Sequence, residues 1–108
     1  MWVFTTDGFY SAVAHRSEPN TIIVRSRVRE DAERLADRLL VEVEVQHTPQ
    51  ADYPWRLFVS RPVFARYLAE QVETMEYPNF KATISDPKRS AVYHGVWAEL
   101  IGLQVEDE

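Results

Sequence analysis

Four basic side chains on predicted β-strands have the types and spacing needed to bind an anion. Arg25 and Arg27 are two residues apart, so on one strand their guanidinium groups point to the same side. Arg56 and Lys81 occupy the corresponding positions of two further predicted strands. Because neighbouring guanidinium groups can hold one phosphate or carboxylate together, the pattern predicts a surface for a small anionic ligand, nucleotide-like or a carboxylate. Phe58 is the one aromatic side chain predicted on that surface.

The same side of the predicted sheet also carries two carboxylates, Glu42 and Glu44, which alternate with valines along a further strand. Cross-strand Arg–Glu pairs commonly complete a solvent-facing sheet, and each contributes about 0.2–1 kcal/mol. A C-terminal helix or a twofold partner would be another way to cover this side. A structural or oligomeric role is therefore favoured over a ligand site.

A second group of polar side chains, Asn79, Lys81 and Tyr93, could line a pocket at the end of one predicted strand. Tyr93 or His94 together with Lys81 could also transfer protons, but no nucleophile or carboxylate is fixed beside them. The three histidines share no metal-ligand spacing, and the absence of cysteine excludes a thiolate metal site. We therefore predict no catalytic residue, no metal site and no cofactor, and favour a non-enzymatic protein.

Charge and glycine content argue against nucleic acid and against phosphate-binding loops. The formal net charge is −5, so the chain as a whole does not attract a polyanion. Only three glycines are present, and none belongs to a phosphate-cradling motif. An RNA-recognition domain has a similar element order but needs aromatic side chains on its two central strands, where this chain offers Phe58 alone. Nucleic acid is therefore not an expected partner.

The elements that must position these side chains follow from changes in hydrophobic periodicity. The predicted order is a strand at residues 22–28, a helix at 30–40, strands at 41–46 and 55–59, a helix from Ser60 to Glu76 or Tyr77, and a strand at 80–84. This β-α-β-β-α-β order predicts an α+β protein with a ferredoxin-like split core. Strand alternation places Val43 and Leu57 beneath the helices. Arg25 and Arg56 then point to the opposite side.

Two further segments flank this predicted core. Residues 2–15 are extended but interrupted by Asp7 and Gly8, which predict either a two-residue hairpin turn or a bulge in an extra N-terminal strand. At the other end Asp86 and Pro87 begin a C-terminal helix that stops near Gly102. With 108 residues and no linker or repeat, the chain is predicted to be a single α+β domain.

Hydropathy bears on the cellular location. The start of the chain lacks the basic segment and long apolar run of a signal peptide, and no stretch approaches the length of a membrane span. We expect a cytoplasmic protein without membrane contact.

Three segments carry a resemblance that runs the length of the chain. They are MWVFTTDGFYS at residues 1–11, NFKA at 79–82 and VYHGVW at 92–97. In these blocks the chain resembles a group of small uncharacterised bacterial proteins. The resemblance implies a bacterial or bacteriophage origin, and it transfers no functional residue.

The leading functional hypothesis is a non-enzymatic module that forms a homo-oligomer or binds a protein partner. Its motivation is an excess of aromatic residues near the N-terminus, Trp2, Phe4, Phe9 and Tyr10, which one small core has difficulty absorbing. The alternative hypothesis is a binder of a small anionic ligand held by the basic side of the sheet. An enzyme that uses Tyr93 or His94 ranks last.

Overall fold

The computed structural model describes residues 1–104 of the chain. The strands are β1 (Trp2–Thr5), β2 (Gly8–Ala14), β3 (Thr21–Ser26), β4 (Gln46–His47) and β5 (Trp55–Ser60). The α-helices are α1 (Arg29–Arg38), α2 (Arg61–Glu73) and α3 (Pro87–Leu100), and 3₁₀ helices cover Phe80–Thr83 and Ile101–Leu103. Internal contacts group the chain into two units, Met1–Met75 and Glu76–Glu108, which are described separately. That the chain is a single domain stays a prediction.

The strands of the first unit form an antiparallel sheet in the order β1-β2-β3-β5-β4. Together with the helices this confirms the α+β class. The ferredoxin-like split core is not confirmed, because the strand order differs and residues 41–45 and 80–84 supply no strands.

Residues 41–45 lie outside the strands, which corrects the predicted strand at residues 41–46. Only Gln46 and His47 pair with β5. The alternation is nevertheless visible in the packing, since Val43 and Val45 contact the core while Glu42 and Glu44 are exposed. The chain crosses here from the end of α1 to the sheet edge, so Val43 and Val45 become partly buried without forming a strand, whereas Val41 stays exposed.

The predicted strand at residues 80–84 is also wrong, because this segment is mainly a 3₁₀ helix. Asn79 Oδ1 accepts a hydrogen bond from the backbone N–H of Lys81 at 3.1 Å. Thr83 Oγ1 donates to the carbonyl of Phe80 at 2.7 Å. Such local side-chain to backbone bonds compete with extended structure. The alternating apolar residues were too few to outweigh them.

The N-terminal interruption is a hairpin turn. β1 and β2 pair antiparallel with Thr5 opposite Gly8, so the two turn residues are Thr6 and Asp7, one position earlier than predicted. No described residue has a positive φ, so Gly8 is not needed for a left-handed conformation. Gly8 instead packs against Asp31 of α1.

Two predicted helix starts are confirmed. Ser60 Oγ accepts a hydrogen bond from Val63 N at 3.4 Å, and Asp86 Oδ2 accepts one from Arg89 N at 2.8 Å. α2 ends at Glu73, three residues or more before the predicted end. In the part of the chain described, no helix is both long and apolar enough to cross a membrane.

In the first unit α1 and α2 pack on one side of the sheet and enclose its core. The core side chains are Tyr10, Ala12, Val24, Ala32, Leu35, Leu39, Leu57, Val59, Phe64 and Tyr67. The predicted parity is confirmed, since Leu57 is fully buried and Val43 packs against this core. Arg25 and Arg56 lie directly opposite one another on adjacent strands and point to the other side.

Candidate functional site

The side of the sheet opposite α1 and α2 brings aromatic rings and arginines together. Trp2 lies opposite Ser11, and Ser11 lies opposite Arg25. Phe4 lies opposite Phe9. Since directly opposed residues point to the same side, these side chains share one surface. We name the surface formed by the following side chains the aromatic–arginine face: Trp2, Phe4, Phe9, Arg25, Arg27, Tyr53 and Arg56.

The aromatic half of this face is a connected row of rings. Phe4 and Phe9 stack with their ring centroids 4.6 Å apart, and Trp2 meets Phe9 edge-on at 6.0 Å. Phe9 in turn lies 6.4 Å from the ring of Tyr53. The row ends in an exposed indole, because 68% of Trp2 is accessible to solvent. Together with the half-buried Phe4 and Phe9 it forms a contiguous apolar patch, the kind of feature that marks an interaction site.

Tyr53 fixes the arginine half of the face. It precedes β5 and is only 5% exposed, because two guanidinium groups lie over its ring. The Cζ atom of Arg27 is 4.1 Å from the ring centroid, and that of Arg25 is 4.8 Å. These are cation–π contacts, and they order two long side chains around one ring.

The hydrogen bonds of these arginines go to neutral acceptors. Arg25 donates from Nη2 to Ser11 Oγ at 2.7 Å, and Arg27 donates from Nη1 to the carbonyl of Asp52 at 2.6 Å. Arg56 donates from Nε to a carbonyl of the same loop at 3.4 Å. Within residues 1–104 none of these guanidinium groups forms an ion pair. Their positive charge is therefore held in place without being neutralised.

The predicted cross-strand Arg–Glu pairs are wrong. Arg25 faces Arg56 in the register, and Glu42 and Glu44 lie in the segment that forms no strand. Like charges directly opposite one another destabilise a sheet. The sheet alone gives no reason for this pair, which makes the arginine half of the face the strongest site candidate.

The predicted site residues fall into both units. Arg25, Arg27 and Arg56 come together as described, and Phe58 lies two residues beyond Arg56 on the same side of β5. Phe58 is 36% exposed and contacts the ring of His15 at 5.8 Å. The N-terminal rings were predicted as an apolar excess, but not on the same side as the arginines, and Tyr10 among them lies in the core. Tyr53 was missed, because the contacts that place it on this face join distant parts of the chain.

Asn79, Lys81 and Tyr93 belong to the second unit, Glu76–Glu108. Lys81 Nζ lies 4.4 Å above the ring of Trp97. Tyr93 is 7% exposed, and its hydroxyl accepts a hydrogen bond from Arg89 Nη1 at 2.7 Å. These contacts give Lys81 and Tyr93 partners within the unit.

The proposed acid–base group also has local partners. Nδ1 of His94 lies 2.8 Å from the carbonyl oxygen of Ser90, one turn earlier in α3. In residues 1–104 no cluster of three or more His, Cys, Asp or Glu side chains is arranged to hold a metal ion.

A buried polar network lies on the helix side of the sheet, around Asp7 and Asp31, which are 4% and 2% exposed. The hydroxyl of Tyr67 donates to Asp7 Oδ2 at 2.7 Å. Thr5 Oγ1 lies 2.9 Å from that hydroxyl, and because the single proton of the Tyr67 hydroxyl is used in the bond to Asp7, Thr5 must be the donor. Arg38 Nε is 3.3 Å from Asp7 Oδ1. The β1–β2 turn is thereby tied to both helices.

Arg34 joins the carboxylate of Asp31 to the backbone of Asp7. It donates from Nη2 to Asp31 Oδ1 and from Nε to the carbonyl of Asp7, both at 2.6 Å. The hydroxyl of Tyr10 donates to the backbone carbonyl of Asp31 at 2.7 Å. Burial raises the pKa of Tyr10 and of Tyr67 well above the usual range of tyrosine, and nearby carboxylates add to the effect. Both hydroxyls stay protonated at neutral pH, so neither tyrosine acts as a base.

Helical spacing was the signal for this network. Asp31 precedes Leu35 by four residues and Leu39 by eight, so it lies on the buried side of α1. Tyr67 follows Phe64 by three residues on the buried side of α2. An acidic residue in the first turn of a helix is already explained by the helix dipole, so the burial of Asp31 was not predicted.

Comparison with known protein families, curated proteins and solved structures gives no match.

Proposed function

We propose that this protein is a non-enzymatic interaction module whose aromatic–arginine face binds an acidic segment of a partner protein. The observation that carries the proposal is that an exposed indole and three arginines, which form no ion pair in the described part of the chain, share one side of one sheet. Tryptophan, tyrosine and arginine are the side chains most enriched at binding hot spots. Guanidinium groups favour carboxylates, with which they form charge-assisted hydrogen bonds.

Charge complementarity favours an acidic partner over a second copy of the same face. In a twofold dimer a surface contacts itself, so both copies would bring Arg25, Arg27 and Arg56, and no acidic side chain of the aromatic–arginine face, into one interface. Juxtaposed like charges oppose such a contact. Size-exclusion chromatography with light scattering at high concentration should therefore give a monomer. If the protein is instead a dimer, and Trp2→Ala dissociates it, the partner of this face is a second copy of the chain and not an acidic segment.

A random peptide library displayed on yeast tests the class of partner. Wild-type protein is used for selection, and the double variant Arg25→Gln, Arg56→Gln for counter-selection. We expect enriched peptides in which Asp or Glu lies beside an aromatic or aliphatic residue, with binding lost in Trp2→Ala. Arg16→Gln, in the exposed loop after β2, is the matched control and should bind as the wild type. Enriched peptides without acidic residues, or unchanged binding to the double variant, would contradict the proposal.

A second candidate function is the binding of a small anionic ligand, nucleotide-like or a carboxylate. The direct opposition of Arg25 and Arg56 favours it, because an anion between them would remove their repulsion. A thermal-shift assay with ADP and citrate tests this, and Arg25→Ala with Arg27→Ala should abolish any stabilisation. A shift that survives in that double variant would exclude these residues.

Single-stranded nucleic acid is the main competing class of partner, because it also binds to aromatic rings and arginines. A labelled oligouridine should bind at least about tenfold more weakly than the selected acidic peptide. Tight oligouridine binding that depends on Trp2 would show that the partner is a nucleic acid and not an acidic protein segment.

We also propose that the protein is cytoplasmic and that the chain is a single domain.

A further inference from the structure

A cavity of about 250 Å³ lies in the first unit between the end of α1 and the first turns of α2. Apolar side chains form most of its lining, with Leu39 and Val41 from one segment and Pro62 and Val63 from the other. The volume is close to the lower limit of ligand pockets, which typically measure about 300–1,000 Å³. A ligand of this cavity must therefore be small and largely apolar.

Two arginines also line the cavity, and they differ in their partners. Arg38 is paired through Nε with Asp7 at 3.3 Å. Arg66 is exposed and has neither a hydrogen bond nor an ion pair in the described part of the chain. Glu70 lies one turn beyond Arg66 and lines the cavity too, yet the two are not within ion-pair distance. The lining thus carries two positive charges and one negative charge.

We propose that this cavity binds a small amphipathic carboxylate, with its carboxylate on Arg66 and its hydrocarbon chain against Leu39, Val41 and Val63. An apolar wall beside a guanidinium group without a partner is complementary to a molecule with an apolar body and one anionic head. This site lies on the helix side of the sheet and does not depend on the proposed function of the aromatic–arginine face.

Isothermal titration of the full chain with three ligands of equal chain length tests the site. Octanoate supplies the carboxylate, octan-1-ol removes the charge, and octylamine reverses it. We expect saturable binding of octanoate, at least about tenfold tighter than that of octanol, and no binding of octylamine. Absence of saturable octanoate binding, or equal affinity for octanol, would overturn the proposal.

Two variants assign the binding to the cavity. Arg66→Gln should bind octanoate no better than octanol, and it should fold normally because Arg66 is exposed and has no partner to lose among the described residues. Arg16→Gln removes the same charge elsewhere and should keep the wild-type preference. Val63→Phe should fill the cavity and abolish binding of both ligands. If Arg66→Gln retains the preference for octanoate, or if Arg16→Gln loses it equally, the assignment to Arg66 is wrong.

Discussion

Gly8 of β2 lies directly against the carboxylate of Asp31 in α1, so that a Cβ atom at position 8 would be 2.7 Å from Asp31 Oδ2 and 2.8 Å from Asp31 Cβ. The carboxylate has little freedom to move aside. It accepts hydrogen bonds from the backbone N–H of Phe9 at 3.2 Å and from Arg34 Nη2 at 2.6 Å. The hairpin and the helix are therefore joined at a contact that leaves no room for a methyl group.

Gly8→Ala should destabilise the protein by about 1–3 kcal/mol, the usual cost of forcing an extra carbon into a packed site. The backbone at Gly8 has no positive φ, so the cost is steric rather than conformational. Gly95→Ala is the matched control, because it lies inside α3 and a methyl group there would have no described atom within 4 Å. Alanine should favour that helix by up to about 1 kcal/mol. Urea unfolding measures both, and equal stability of Gly8→Ala and wild type would contradict the contact.

Tyr67→Phe should destabilise the protein by about 1–3 kcal/mol, because it removes the hydrogen bond to the buried Asp7 carboxylate and leaves that group less well satisfied. Tyr53→Phe is a control of equal chemistry. Tyr53 is buried to a similar extent, at 5% against 4% exposed, but its hydroxyl forms no hydrogen bond within residues 1–104. Its variant should stay within about 0.5 kcal/mol of wild type. Equal losses in both variants would show that the network contributes no stability.

Alkaline pH should unfold the protein through Tyr10 and Tyr67. Burial raises the pKa of both hydroxyls in the folded state, whereas in the unfolded chain they ionise near pH 10. Above about pH 10 the unfolded state therefore binds fewer protons than the folded state, and stability falls by up to about 1.4 kcal/mol per pH unit for each tyrosine. Thermal melts between pH 8 and 11 measure the slope. The slope should be smaller in Tyr67→Phe than in the wild type, and an equal slope would contradict the assignment to Tyr67.

Local sequence patterns predicted which side of the sheet a residue faces better than they predicted which segments form strands. Leu57 and Arg56 took the predicted sides because alternation follows from the backbone of any strand. Val43 packs against the core as predicted although its segment forms no strand, because core contact depends on where the backbone passes and not on strand pairing. Phe80 was wrongly predicted to lie in a strand, because an alternation of only three apolar residues cannot outweigh the local hydrogen bond of Asn79.

The site could be predicted only in part, because its aromatic half depends on contacts between distant segments. Arg25 and Arg56 were found from their spacing alone. Tyr53 reaches the face because the loop before β5 folds over the sheet. A loop has no hydrophobic periodicity from which this position could be predicted. The register that aligns Phe4 with Phe9 was equally hidden, because it depends on where the turn begins.

Trp2 and Tyr53 share the aromatic–arginine face, but replacing Tyr53 should mainly lower stability, whereas replacing Trp2 should mainly weaken binding. Tyr53→Ala removes a buried ring that orders Arg25 and Arg27, so we expect a loss of about 2–4 kcal/mol in the free energy of unfolding.

Trp2→Ala should change stability by no more than about 0.5 kcal/mol, because the side chain is 68% exposed. The same change should weaken binding of the selected acidic peptide by about 2 kcal/mol or more, the range of a binding hot spot. Urea unfolding and peptide titration on the same samples separate the two effects. If Trp2→Ala binds the peptide as tightly as wild type, the exposed indole is not a contact residue, and the aromatic half of the face loses its role in the proposed interaction.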